Sequence, residues 1–415
     1  MPSFRVSDQI SQLPIRVLPG GERVLFVKNN SYITNIQILT DVGSEAEESD
    51  IHGMAHILEH MFFKGSQKYQ GGTAISRAAN DIGGKLNAYT TYDHTVFYIS
   101  VLNDEFERGF DLLTDMYRNP LFPPEEFKKE LNPILSEMRE REDEPEGFLM
   151  EKALAQYLGK HYHPVIGTAP TVKSATVEKM HAFKERYYGG SNILITVVGG
   201  IDEERFMKAV TERFSDRRAA EKASAHTYDY APGEITLTKP GISEAHFNLY
   251  FPALGPTDPA RYKQDLMSYL LGGNESALLF ERIREELGMS CYGIYSYAMR
   301  TMNHSIIGIS CGIAPEELPR LETEVDGCIA RICDSLLEEH RLSRARASLR
   351  TSIASHAETS GGLNGMMGLP ALRGETTHPV ERALAEIEKI TLNDVLETAR
   401  ATFSGARFKA ILLPE

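Results

Sequence analysis

Two stretches of the sequence, 215 positions apart, follow one pattern. Residues 176–197 read TVEKMHAFKERYYGGSNILITV, and residues 391–412 read TLNDVLETARATFSGARFKAIL. Aligned without gaps, Thr176 meets Thr391, Val177 meets Leu392 and Tyr188 meets Phe403. Each stretch runs helix, small-residue turn, strand. Asn103–Asn119 and Pro315–Ile332 form a second matching pair, each reading as a helix that follows a strand. A chain that repeats itself in this way folds as two related halves. The join falls near Ser215 to Gly233, where DRRAAEKASAH is polar and APG turns the chain. The expected division is residues 1–215, a linker over 216–233, and residues 234–415.

Within the first half, strand-like and helix-like stretches alternate. Arg23–Val27, Tyr32–Leu39 and Ile193–Val198 have β-rich composition, and Leu86–Val101 reads as a long strand or hairpin. Gly53–Phe63, Thr73–Ile82, Glu105–Met116 and Glu125–Glu142 read as helices. The class is α+β, each half a mostly antiparallel sheet covered by helices. In the second half the glycines of SGGLNGMMG (360–368) suggest a mobile loop.

Bulk composition narrows the partners. A net charge of −14 argues against nucleic acid. No segment approaches the roughly 18 apolar residues of a membrane span, so no membrane partner is expected. The opening MPSFRVSDQISQLP lacks an apolar run behind a basic start, unlike a secretory signal. Cys291, Cys311, Cys328 and Cys333 form no CxxC pair and read as reduced thiols of a cytoplasmic protein.

Chemistry concentrates in HGMAHILEHMFFKG, residues 52–65. Two imidazoles and a carboxylate are costly to place among Ile57, Leu58, Met61, Phe62 and Phe63 unless something satisfies them. On a helix, His56 and His60 share a face and can bind one ion together. Neutral imidazole suits Zn²⁺ at ~2.0–2.1 Å. Glu59 points near the same face, where a carboxylate can take a proton from an activated water. This is the inverted zinc-protease pattern. A catalytic zinc site needs a third protein ligand and an open position. Downstream, the 125–142 helix carries Glu130 and Glu137 on one face, with Glu137 interrupting a side marked by Pro133, Ile134, Leu135 and Met138. A solvated acidic helix is the competing reading of that segment.

HILEHMFFKG, GGKLNAYTTYDHTVFYISV, EEFKKELNPILSEMRERE and HPVIGT occur in that order. Together they resemble the pitrilysin, insulysin and mitochondrial processing peptidase family. The resemblance implies the fold of those enzymes, shared with a LuxS-type lyase. It implies Zn²⁺ held by His56, His60 and Glu137, the last following His60 by 77 positions. It implies Glu59 as general base and Glu130 as a supporting acid. Leu86, Asn87, Ala88 and Tyr89 match the strand that templates a peptide substrate by main-chain hydrogen bonds. LLGGNESALLFERIREELGMSCYGIYSY resembles the segment whose Arg and Tyr anchor substrate and stabilise the oxyanion. The matching positions are Arg284, with Arg282 as the alternative, and Tyr292. The Arg–Tyr spacing is one residue longer than in the family, which leaves Tyr295 open beside Tyr292. The implied activity is that of a metalloendopeptidase on short or unfolded peptides in an enclosed chamber, with an acidic wall favouring basic ones. The implied assembly is a homodimer, or a heterodimer with a related subunit. An inactive scaffold or partner subunit is the alternative, and an intact Glu59 weighs against it.

Overall fold

The computed structural model describes residues 10–214, 216, 218–224, 226 and 228–415; residue 215 and linker positions 217, 225 and 227 lie outside the described residues. Two mixed sheets organise the chain. The first contains β1 (Arg16–Val17), β2 (Arg23–Lys28), β3 (Ile33–Thr40), β4 (Lys85–Thr90), β5 (Thr95–Leu102) and β6 (Ile193–Gly199), in the order β1-β2-β6-β3-β5-β4. The second contains β7 (Gly233–Lys239), β8 (Ala245–Pro252), β9 (Cys291–Arg300), β10 (Ser305–Ile313) and β11 (Phe408–Pro414), in the order β7-β11-β8-β10-β9. Apart from β1, the two orders correspond strand for strand. In each sheet the last strand to be made, β6 or β11, inserts parallel to the first and antiparallel to the second. All other pairings are antiparallel.

The aligned segments occupy equivalent places. The helices Val177–Tyr187 and Leu392–Phe403 feed β6 and β11. Thr176 Oγ1 accepts from Lys179 N–H and Thr391 Oγ1 from Asp394 N–H, each at 3.2 Å, so the same cap starts both. The second pair also corresponds: a 3₁₀ turn, Asn103–Glu105 or Pro315–Glu317, leads into the helix Phe106–Arg118 or Leu318–Asp334.

Sheet pleating puts alternate residues on opposite faces. In the first sheet Val24, Ile38, Phe97 and Ile195 face the core shared with the helix Met54–Phe62. Their neighbours Leu25, Leu39, Val96 and Leu194 face the other way, against Met367, Ala371 and Leu372. Those last three belong to the helix Ser360–Leu372, which contains SGGLNGMMG. The expected mobile loop is therefore a buried helix. Glycine disfavours a helix by roughly 1 kcal/mol against alanine, but here small residues let the helix approach the sheet. A Cβ on Gly368 would lie 3.2 Å from Leu39 Cδ2. Fully buried Asn364 donates to Asn35 O at 3.0 Å and to Asn35 Oδ1 at 2.8 Å.

The covering is reciprocal. In the second sheet, Phe247, Leu249, Phe251 and Ile411 pack on helices of their own half. Tyr250, Phe408, Ala410 and Leu412 face Leu149, Ala153, Leu154 and Tyr157 of the helix Pro145–Tyr157, from the first half. Each half thus lends one helix to the other's sheet.

Both edge hairpins turn through Thr-x-x-His, at Thr91–His94 and Thr301–His304. Thr91 N–H donates to His94 O at 2.9 Å and Thr301 N–H to His304 O at 2.8 Å. Thr91 Oγ1 meets His94 Nδ1 at 2.8 Å, and Thr301 Oγ1 meets His304 Nδ1 at 3.1 Å. The turns also interlock. Met302 N–H donates to Asp93 Oδ2 at 2.8 Å, and His304 Nδ1 donates to buried Glu45 Oε1 at 2.7 Å.

Candidate metal centre

The helix Met54–Phe62 starts at Gly53, whose φ of +92° a side chain would resist. No local side chain caps it. Glu47, fully buried, reaches in instead: its Oε2 accepts from Gly53 N–H at 2.6 Å and its Oε1 from Ala55 N–H at 2.7 Å. Burial pushes the Glu47 carboxyl well up, and these N–H groups oppose the shift. Met54, Ala55, Ile57, Leu58, Met61 and Phe62 anchor the helix in the core. His56, Glu59 and His60 fall on its remaining face.

Across from them runs the helix Pro124–Asp143, pre-set at its first turn by Pro124. Phe127, Glu130, Ile134 and Met138 are its buried positions. Pro133, expected on that buried side, faces solvent. Glu137 Oε2 lies 3.4 Å from His56 Nε2 and 3.4 Å from His60 Nε2. The two rings meet edge to face, centroids 4.7 Å apart. Ligand atoms of His56, His60 and Glu137 all lie within 4.8 Å of one another, and among the described residues they form the one group of three or more able to hold a metal ion.

Donor chemistry fits a divalent cation: two ring nitrogens and one carboxylate oxygen converge on one point. Glu130 completes the arrangement behind them. His60 Nδ1 donates to Glu130 Oε1 at 3.0 Å, which turns Nε2 toward the convergence point, and Lys64 Nζ pairs with Glu130 Oε2 at 2.6 Å. The electrostatics agree. Hydrogen bonds from His56 and His60 hold the Glu137 carboxyl far below the usual carboxylate range. Burial pulls the His60 pKa down, but Glu130 and Glu137 outweigh it and push it up to about 9. Such a cluster demands positive charge between its members, a proton in the absence of an ion. His56 Nδ1 is buried without a hydrogen-bond partner among the described residues.

Glu59 is half-buried and stands outside the three donors. Thr90 Oγ1 donates to Glu59 Oε2 at 2.7 Å. Thr90 ends β4, the free edge of the first sheet, so the candidate base is tied to the expected template strand. Leu86, Asn87, Ala88 and Tyr89 pair on one side only, with Ile99, Tyr98, Phe97 and Val96 of β5. Ala88 is buried, while Asn87 and Tyr89 are exposed.

Among the described residues no hydrogen bond or ion pair joins Arg282, Arg284 or Tyr295 to this cluster. Arg284 is exposed on a π-helical turn, Glu281–Glu286, with its guanidinium 5.1 Å from the Phe280 ring centroid. Arg282 is paired with Glu286 at 2.9 Å and Glu324 at 2.7 Å. Tyr292 lies on β9, the edge of the second sheet; its side chain is outside the described residues. Tyr295, on the same strand, donates to Glu146 Oε2 at 3.3 Å. A cavity of about 360 Å³ beside Glu137 and one of about 350 Å³ beside Tyr295 share Glu144, Gly147 and Met150. The two cavities therefore adjoin at the start of the helix Pro145–Tyr157.

Sequence reasoning missed Glu47, Lys64 and Thr90. Glu47 sits in EAEESD, which reads as solvated acid, and Thr90 reads as ordinary strand composition. The only available signal was their nearness to the His-rich helix and its template strand.

Residues 23–163 match the family described as Insulinase (Peptidase family M16), and residues 174–349 match the Peptidase M16 inactive domain. A Rickettsia felis protein named an uncharacterized zinc protease is 29% identical over 408 residues, spanning 96% of this chain and 97% of its own length. One from Bacillus subtilis, named likewise, is 26% identical over 399 residues, spanning 95% and 97%. A protease from Helicobacter pylori superimposes with a TM-score of 0.89 at 18% identity, covering 98% of this chain and all of that one. A Pseudomonas fluorescens structure described as a peptidase M16 inactive domain gives 0.89 at 17% identity, covering 97% and 98%. At these identities the structural likeness speaks for the fold alone.

Proposed function

The chain belongs to the M16 peptidase family, and from that premise we propose that it is a zinc-dependent endopeptidase acting on short or unfolded peptides. One observation carries the reading: three convergent ligand atoms beside a carboxylate that Thr90 ties to a free sheet edge. Zinc held by His56, His60 and Glu137 would supply a Lewis acid that polarises the scissile carbonyl and acidifies water. Glu59 takes the proton of the attacking water and delivers it to the leaving amine. Thr90 fixes one of its oxygens and leaves the other for proton exchange. A peptide adds to β4 at Leu86–Tyr89 through main-chain hydrogen bonds, which sets its carbonyl against the cluster. Arg284 and Tyr292, or Tyr295 in its place, anchor the peptide backbone and steady the developing oxyanion.

Two copies would enclose the chamber, the Arg/Tyr pair of one facing the zinc of the other; a related subunit could take the second place. Glu140, Glu144, Glu146 and Glu151 line these two cavities and favour basic peptides. The location we favour is cytoplasmic; among the described residues no helix is long and apolar enough to cross a membrane. The scaffold alternative gives no reason to keep Glu59 beside an intact ligand set.

The test is digestion of a peptide library by wild type and Glu59→Gln, each with and without chelator, with metal content measured on both. Chelator should abolish cleavage. Glu59→Gln should lower the rate by about 10²–10⁴-fold while metal content stays unchanged. Cleavage that survives the substitution refutes the base.

A further inference from the structure

A cavity of about 680 Å³ opens where the helices Arg261–Gly272, Ser360–Leu372 and Pro379–Lys389 meet, apart from the metal cluster. Its size suits a small ligand. Arg261, Arg300, Arg373 and Arg382 line it against two carboxylates, Asp265 and Glu375. With Asp93, which pairs with Arg373 from outside the cavity, the group keeps an excess of one positive charge in a chain whose net charge is −14.

Three of the arginines are committed. Arg300 pairs with Asp265 at 2.5 Å, Arg382 with Glu375 at 2.5 Å, and Arg373 with Asp93, outside the cavity, at 2.7 Å. Arg373 is nine-tenths buried, and its Nε is buried without a partner among the described residues. Arg261 has no carboxylate partner among the described residues. It stacks 4.2 Å from the Tyr262 ring centroid, and donates from Nη2 to the Tyr262 hydroxyl at 2.7 Å and from Nη1 to Asp258 O at 3.3 Å.

Two helix N-termini border the cavity. Arg261 and Tyr262 open one, whose N-cap Ala260 offers no side-chain acceptor; its Arg261 N–H donates to Asp258 O at 3.1 Å. Pro379 opens the other, which His378 caps by accepting from Glu381 N–H at 3.3 Å. The partial positive charge of such ends favours anions. The opposing C-terminus, that of Ser360–Leu372, has its carbonyls occupied. Arg23 donates to Ala371 O at 2.9 Å and Leu372 O at 3.0 Å, and Glu375 N–H to Pro370 O at 2.9 Å. Met366, Leu369 and Pro370 supply an apolar wall beside the charge.

We propose that this cavity binds a small organic anion, a carboxylate or phosphate group held at Arg261 with an apolar portion against Met366 and Leu369. The site is independent of the peptidase reading. Because Arg373 also grips Asp93 in the turn that closes β4, an anion drawing on Arg373 would act on the edge-strand hairpin.

The experiment is calorimetric titration of the full-length protein with phenyl phosphate and with inorganic phosphate at fixed ionic strength. Phenyl phosphate should bind saturably and more tightly than inorganic phosphate. Arg261→Ala should weaken it by about tenfold or more, the loss of one charge-assisted hydrogen bond. Met366→Glu, which sets a carboxylate in the cavity, should abolish it and stands in if Arg261→Ala does not fold. Absence of saturable phenyl phosphate binding, or equal affinity in wild type and a folded variant, would overturn the proposal. So would equal affinity for the two probes.

Discussion

The two halves share a sheet order, a helix cap and a hairpin turn, yet treat the helix behind the edge strand differently. In the second half that helix is Arg261–Gly272, and its polar side chains find protein partners. Gln264 Oε1 accepts from Leu254 N–H at 2.9 Å and Gln264 Nε2 donates to Thr402 Oγ1 at 2.9 Å. Asp265 takes Arg300, Ser268 meets Ser296 at 2.7 Å, and Tyr269 meets Ser348 at 2.7 Å. In the first half the helix Met54–Phe62 presents His56 and His60 to a carboxylate, with no such closed set. One fold accommodates polar groups on this helix in two ways. Where partners are supplied internally the helix needs no metal ion, and where they converge on one another the deficit is a cation.

The sharpest way to break this comparison is to count metal. Wild type should hold one ion per chain and His60→Ala none, read by elemental analysis after dialysis. A residual ion in the variant would give the second half a site of its own. The next largest effects concern the lent helices. Leu154→Ala removes a fully buried side chain from one and should lower stability by about 2–5 kcal/mol. Asn364→Ala removes the polar anchor of the other and should lower it by about 1–3 kcal/mol. Urea unfolding measures both. A shift within error in either would mean that its helix is dispensable to the sheet it covers.

Smaller effects sharpen the contrast between the helices. Thr90→Val should lower kcat about tenfold with metal content unchanged, and Thr90→Ser should restore most of it. Loss of metal in Thr90→Val would make the contact merely structural. Finally, the metal-free protein should titrate at His60. Its folded pKa, about 9, lies above the unfolded value near 6.5. The stabilisation is fully present below that unfolded value and is lost as pH rises through about 9. Thermal melts from pH 6 to 10 should show the decline without metal and a flatter profile with it. Parallel profiles would count against the His60–Glu130–Glu137 cluster as the titrating unit.

Periodicity and spacing made part of this legible: the repeat at 176–197 and 391–412 located equivalent strands, and His56 and His60, four apart, share a helix face. Glu137 was implied by the family resemblance, and the three do converge. What stayed hidden was tertiary in origin. Gly361, Gly362, Gly365 and Gly368 read as loop because propensity says nothing about a sheet that a helix must approach closely. Glu47 and Thr90 act across 8 and 31 positions, at distances only the fold creates. The Thr-x-x-His turns were visible in the letters at 91–94 and 301–304, but two residues in four carry little weight until the hydrogen bonds coincide.

The exchange of helices also has a consequence for synthesis. β6 completes the first sheet at Gly199, but the helix that shields its second face ends at Leu372. At 5–20 residues per second, roughly nine to thirty-five seconds separate the two events. Throughout that interval Leu25, Leu39, Val96 and Leu194 stand bare on a nascent chain. Ribosome-bound chains stalled before residue 360 should therefore take up an apolar dye that chains released at full length exclude.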